Sequence, residues 1–214
     1  MPYNGLPSAL VKVLKARNVT EGDLNKIQQL AKVSDFALDV IAKQPELIAQ
    51  LEEPLQALQL PDSQEAEWPS IVRHWRRAQS CKLIWRDIAE MDIVQQTLQG
   101  STYIAEQALS VAFDAILQSM QHVHGVVRNE SGQEQFMVVL GLGKLGGGEL
   151  NFSSDVDLVY AFTGHGMSDG ERSIAAETYF TRLGQRLANL LDDVTAEGFS
   201  HRVDLRLRPF GASG

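Results

Sequence analysis

Asp155 and Asp157 stand two residues apart at the head of an apolar run, Val156 to Phe162, that reads as a strand. Side chains two apart on a strand leave the same face, so the two carboxylates project together. Carboxylates that close repel one another, and one is forced to hold a proton unless a cation lies between them. Magnesium or manganese, with its preference for oxygen ligands, is the cation that suits them. Asp204, in an alternating run over 201–208, offers a third carboxylate. Three carboxylates around such ions stabilise the attacking and leaving oxygens in phosphoryl or nucleotidyl transfer. Asp155, Asp157 and Asp204 are therefore the expected metal ligands and the expected catalytic residues. Alone, an Asp-x-Asp pair is more often a turn or cap, and Asp204 among arginines an ion-pair ladder; the glycine run beside them carries the sharper expectation.

That run begins at once upstream. Gly141, Gly143 and Gly146 satisfy G-x-G-x-x-G after the apolar stretch 136–140. A dinucleotide-binding crossover needs a real helix between parallel strands, and only residues 147–154 separate the last motif glycine from the next strand. The dinucleotide reading is set aside. Lys144 is not a Walker lysine either, because Val138 stands where the first glycine of that motif belongs. What the glycines do allow is close approach of backbone N–H groups to phosphate oxygens. Gly143, Lys144, Gly146, Ser153 and Ser154 are thus expected to bind the phosphates of a nucleotide. Arg206 and Arg208 share the face of Asp204 and are expected to add phosphate-binding guanidinium groups.

The elements that must position these residues fall into two parts. Residues 1–125 read as a helical region, with apolar positions at helical spacing around Leu10, Ile27 and Phe36, and a Ser34 N-cap. Residues 53–69, with three prolines and several acids, suggest a linker. A long helix is expected over 71–91, and a helical pair over 93–98 and 101–124. Residues 126–214 then alternate strand-like runs with an amphipathic stretch over 171–191, the pattern of an α+β unit with a mixed sheet. Arg73, Arg76, Arg77, Lys82 and Arg86 lie along the long helix without an acid among them. A solvated face is the expected role, and a contact with the acidic second part the sharper one. Trp68, Trp75 and Trp85 read as packing, His122 and His124 as complements to a helix C-terminus, and Cys81 as inert.

Composition removes several classes. The 214 residues carry 19 Lys and Arg against 27 Asp and Glu, a net charge of −8 spread over both halves. Neither half is a basic nucleic-acid arm. One cysteine excludes an intrachain disulfide framework and suits a reducing cytoplasm. No signal peptide and no apolar run long enough for a membrane span is present in these residues. The last residues, Phe210 to Gly214, form a glycine-rich turn directly after the alternating run, so a second domain cut short is expected.

Two segments together are similar to a known family: GLGKLGGGELNFSSDVDL over 141–158 and RVDLRLRPFGASG over 202–214. They closely resemble the bifunctional glutamine synthetase adenylyltransferase/adenylyl-removing enzymes, a family of the polymerase-β-like nucleotidyltransferases. Residues 34–47 resemble its helical start more weakly. The resemblance implies an incomplete nucleotidyltransferase unit behind a helical region. The wording of 149–155 looks like the family's AMP-removing copy, in which phosphate attacks an adenylyl-tyrosine of glutamine synthetase and ADP is released. Carried over, Asp155, Asp157 and Asp204 hold the metals and Gly143, Lys144, Gly146 and Ser154 the phosphates. The implied ligands are magnesium or manganese, phosphate, ADP or ATP; the implied partners are glutamine synthetase and the PII signalling protein. The attaching direction with ATP and a catalytically silent interaction module are the alternatives.

Overall fold

The computed structural model describes residues 3, 5–17, 19–194 and 198–206. Three short helices open the chain: α1 (Ser8–Ala16), α2 (Glu21–Leu30) and α3 (Asp35–Lys43). Their starts are written in the sequence. The Thr20 hydroxyl accepts the Asp23 N–H at 3.1 Å while the Asp23 carboxylate accepts the Thr20 N–H at 3.2 Å, a reciprocal cap. Ser34 accepts the Ala37 N–H at 3.1 Å, as its position suggested. A 3-10 turn follows at Pro45–Gln50. These elements bury Leu10, Leu14, Ile27 and Ile41 against Cys81 and Trp85 of α4 (Trp68–Ile88), one of two larger cores.

The expected linker is laid along α4. Leu58 is buried, the Gln56 N–H donates to Gln79 at 2.8 Å, and the Trp68 and Trp75 indoles donate to the Pro61 and Gln56 carbonyls. The expected helical pair after it is one helix, α5 (Val94–His124). Gly100 does not break it, because the residue is there for a crossing. A Cβ at that position would lie 2.6 Å from a terminal methyl of Leu83, so glycine lets α5 close on α4 without moving that side chain.

After Gly125 come β1 (Val127–Arg128), β2 (Met137–Gly141), the single turn α6 (Gly143–Gly146), β3 (Val156–Phe162), β4 (Met167–Ser168), α7 (Ala176–Asp192) and β5 (Val203–Asp204). The sheet order is β2-β3-β5, with β2 antiparallel and β5 parallel to β3, while β1 pairs with β4 separately. The fold is thus α+β with a small mixed sheet. Antiparallel β2 and β3 also dispose of the dinucleotide reading, which requires a parallel crossover. Helix α7 begins later than its amphipathic pattern, since Ala175 is still bridged to Met167. The alternation over 201–208 yields, among the described residues, a ladder at Val203–Asp204 only. Phe180, Leu183 and Leu187 of α7 and Ala112 and Ile116 of α5 bury the inner face of the sheet in the other larger core. Among the described residues no helix is long and apolar enough to cross a membrane.

The basic row of α4 corrects an expectation. It is not a solvated face: Arg73 and Lys82 are fully buried. The Arg73 guanidinium donates to the Asp193 carbonyl at the end of α7, and that of Arg76 to the Phe152 carbonyl at 3.3 Å. Arg86 holds Asp92 through two bonds of 2.8 and 2.6 Å. Arg73 and Arg76 take the sharper of the two readings, a contact with the second part. Cys81 is buried and its thiol pushed up to about 12 by that burial, so it is no nucleophile.

Candidate functional site

Strand β3 carries the site because its parity divides cleanly. Val156 and Leu158 are buried beneath the sheet, so Asp157 and, just ahead of the strand, Asp155 leave the opposite face. The parallel register sets Asp157 directly beside Asp204 on β5, roughly one strand spacing, about 4.8 Å, away. Asp204 thus lies beside Asp157 on the neighbouring strand. Val203, its neighbour, joins the small core of Ala105, Leu145, Leu150, Val156 and Leu158 that seats the glycine turn on α5. The Leu150 N–H donates to the Thr102 hydroxyl at 3.1 Å and fixes the far end of that turn.

The turn passes under Asp157. The Leu142 N–H donates to the Asp157 carbonyl at 2.9 Å, and Gly143 follows with φ +55°. A Cβ on residue 143 would lie 2.6 Å from Asp157 Oδ2, so this glycine is what lets backbone meet carboxylate. Gly143 and Gly146 begin and end α6. Lys144 is exposed and its Nζ lies 3.4 Å from Ser154 Oγ. Asn151 organises the two serines: its Oδ1 accepts the Ser154 hydroxyl at 2.6 Å and the Ser153 N–H at 3.2 Å.

Arginines hold the carboxylates. Arg202 Nε meets Asp155 at 2.5 Å. Arg206 folds back on Asp204, its Nε 3.0 and 3.1 Å from the two carboxylate oxygens, instead of reaching outward. That bond and the Arg206 backbone N–H hold Asp204 down at about 2. Asp155 and Asp157 also favour the charged Arg206. One guanidinium thus sits in the field of all three acids. Arg208 lies outside the described residues.

Among the described residues no three His, Cys, Asp or Glu side chains converge into a metal-binding group. Asp157 and Asp204 lie side by side on neighbouring strands with Asp155 just ahead of them, and the cation in their field is Arg206, paired with Asp204. Asn151 and Arg202 are the site residues that motif reading missed. Arg202 shares the parity of Asp204, and an Asn two residues before a serine pair is a turn signal.

A family model described as glutamate-ammonia ligase adenylyltransferase matches residues 24–214. Relatives called bifunctional glutamine synthetase adenylyltransferase/adenylyl-removing enzyme are similar over most of the chain. The protein of Stenotrophomonas maltophilia (strain R551-3) is 57% identical over 192 residues, covering 88% of this chain and 21% of its own. That of Xanthomonas oryzae pv. oryzae (strain MAFF 311018) is 54% identical over 198 residues, 90% of this chain and 21% of its own. That of Shewanella frigidimarina (strain NCIMB 400) is 38% identical over 196 residues, 85% of this chain and 21% of its own. The chain spans about a fifth of the length of these relatives.

Proposed function

Because the chain belongs to the glutamate-ammonia ligase adenylyltransferase family, we propose that it carries a nucleotidyltransferase site that removes AMP from a tyrosine of glutamine synthetase. The observation that carries the reading is the register of Asp157 against Asp204 with the Gly143 backbone beneath. The relatives' names supply glutamine synthetase as the substrate and both directions of transfer. The likeness of 149–155 to the family's removing copy favours removal.

In that direction an oxygen of inorganic phosphate attacks the adenylyl phosphorus. The bond to the tyrosyl oxygen breaks, the phenol regains a proton and ADP leaves. Magnesium or manganese, held by Asp155, Asp157 and Asp204, would supply positive charge for the phosphoryl oxygens. The chain's own part is orientation. Gly143 keeps the approach to Asp157 clear of side chains, and Lys144 and Ser154 offer donors at its rim. Arg206 neutralises Asp204 and would have to release it. By the same resemblance, the PII signalling protein is a partner of the longer protein.

The test supplies adenylylated glutamine synthetase, phosphate and magnesium or manganese to a chain extended to the relatives' length. ADP release is expected, and it should fall by at least ~100-fold in Asp157→Asn, as for loss of a preorganised charge. ADP release unchanged in that variant overturns the reading.

A further inference from the structure

Where α4 meets the sheet unit, two cavities of about 420 and 390 Å³ share Phe36, Arg76 and Phe152. Their shared wall carries the Arg76 guanidinium; the Asp87 carboxylate, which also lines the first, is held by the Thr97 hydroxyl at 2.9 Å. Arg77 is paired with Asp39, and Arg202 with Asp155. Arg76 is different. Among the described residues it has no carboxylate at ion-pair distance, only the Phe152 carbonyl at 3.3 Å and the Phe36 ring 5.7 Å away. Its Nε is buried without an acceptor, as is that of Arg73 one turn earlier. Burial and the neighbouring Arg77 push the Arg76 guanidinium down to about 10. His201 on the same wall is buried and neutral, pushed down to about 3 by burial first and by Arg76 second. It adds no charge of its own at neutral pH.

A half-buried cation without an ion-pair partner among the described residues is unfavourable, and a guanidinium whose Nε–H lacks an acceptor is shaped to take two oxygens of one anion. Ser153 lines the same cavity from the side of the glycine turn. We propose that this cavity, which borders the sheet-edge site through Ser154 and Arg202, binds a phosphate group seated against Arg76. Inorganic phosphate and the phosphate of a nucleotide share that chemistry. A phosphate here ties α4 to the loop that runs from Phe152 into Asp155. The binding does not depend on the direction of adenylyl transfer, nor on a metal.

The Arg76 Nε–Hε NMR signal tests it. The 214-residue chain, labelled with 15N and free of divalent ions, is titrated with inorganic phosphate at constant ionic strength set by chloride, and separately with AMP. The signal is assigned through the side chain and checked by its loss in Arg76→Lys. It is expected to move saturably with phosphate, and equally in Asp157→Asn. Movement with AMP at lower concentration identifies a nucleotide phosphate; movement with phosphate alone identifies the free ion. A signal that stays fixed, that moves equally with chloride, or that stops responding in Asp157→Asn overturns the proposal. In the last case the response belongs to the sheet-edge site.

Discussion

On α4, Arg73 and Lys82 are 1% and 0% exposed, whereas at the sheet edge Asp155 keeps 45% of its side chain in solvent and its partner Arg202 56%. The two charge sets are held differently as a result. Arg73 is fixed by the Asp193 carbonyl inside the junction between α4 and α7. Asp155 and Asp204 are held by arginines at the surface, where an ion pair contributes only about 0–1 kcal/mol. The first arrangement builds the molecule. The second can exchange partners at little cost, which a site that must receive an anion or a cation requires.

Stability is the first place to break this contrast. Arg73→Ala removes a buried side chain and leaves the Asp193 carbonyl without its donor, so a loss of about 2–4 kcal/mol is expected. Asp155→Asn, at the surface, should stay within about 0.5 kcal/mol. Urea denaturation of the two variants reads both. Equal losses, or the reverse order, would dissolve the distinction between building and exchangeable charges.

The junction should also show in pH dependence. His201 titrates at about 3 in the folded chain because burial and then Arg76 oppose its charge. An unfolded histidine takes its proton near 6.5. Below that point the unfolded state binds a proton that the folded state refuses. The stabilisation is therefore complete above about 6.5 and is lost as pH falls toward 3, by about 1.4 kcal/mol per pH unit. Denaturation midpoints between pH 6.5 and 5 measure the slope before carboxylates contribute. His201→Gln should flatten it, and a slope unchanged in that variant would show that the junction admits the proton.

At the sheet edge the corresponding probe is backbone geometry. Gly143→Ala puts a Cβ at φ +55° and 2.6 Å from Asp157 Oδ2. A left-handed conformation costs an L-residue about 1–2 kcal/mol, and the carboxylate must move as well. Thermal unfolding should register the modest loss, while ADP release should fall much further. An Ala variant with full turnover would mean that the Gly143–Asp157 approach is not part of the site.

The same contrast explains what could be read in advance. The glycine turn and the carboxylate pair were legible because strand parity and glycine freedom are local rules, and Val156, Asp157 and Leu158 obey them. The α4 row left two readings open, a solvated face and a contact with the second part. Periodicity placed Arg73 and Arg76 on a polar stripe, but only tertiary packing decides whether the Phe152 loop and the end of α7 cover it. The two helices expected over 93–98 and 101–124 are one for the same reason, since Gly100 between them meets Leu83 at a crossing. Likewise the alternation over 201–208 gave the faces of Val203 and Asp204 correctly, yet the parallel ladder to β3 involves just those two residues.

The smallest expected effect bears most directly on exchange. Arg206 holds Asp204 at about 2 through its side chain first and its backbone N–H second. Arg206→Gln removes the first and keeps the second, so the Asp204 carboxyl should rise part of the way toward its ordinary 3.8. The sign is that of a depressed acid. The pairing favours the folded chain above about 3.8 and is lost as pH falls toward 2, so near neutrality the variant should barely change in stability. Carbon-13 NMR of the carboxyl carbon follows the titration residue by residue. If Asp204 titrates identically with and without Arg206, the guanidinium does not persist on it, and the carboxylate is already free for another cation. If it rises as expected, Arg206 is the competitor that a divalent ion at this edge must displace.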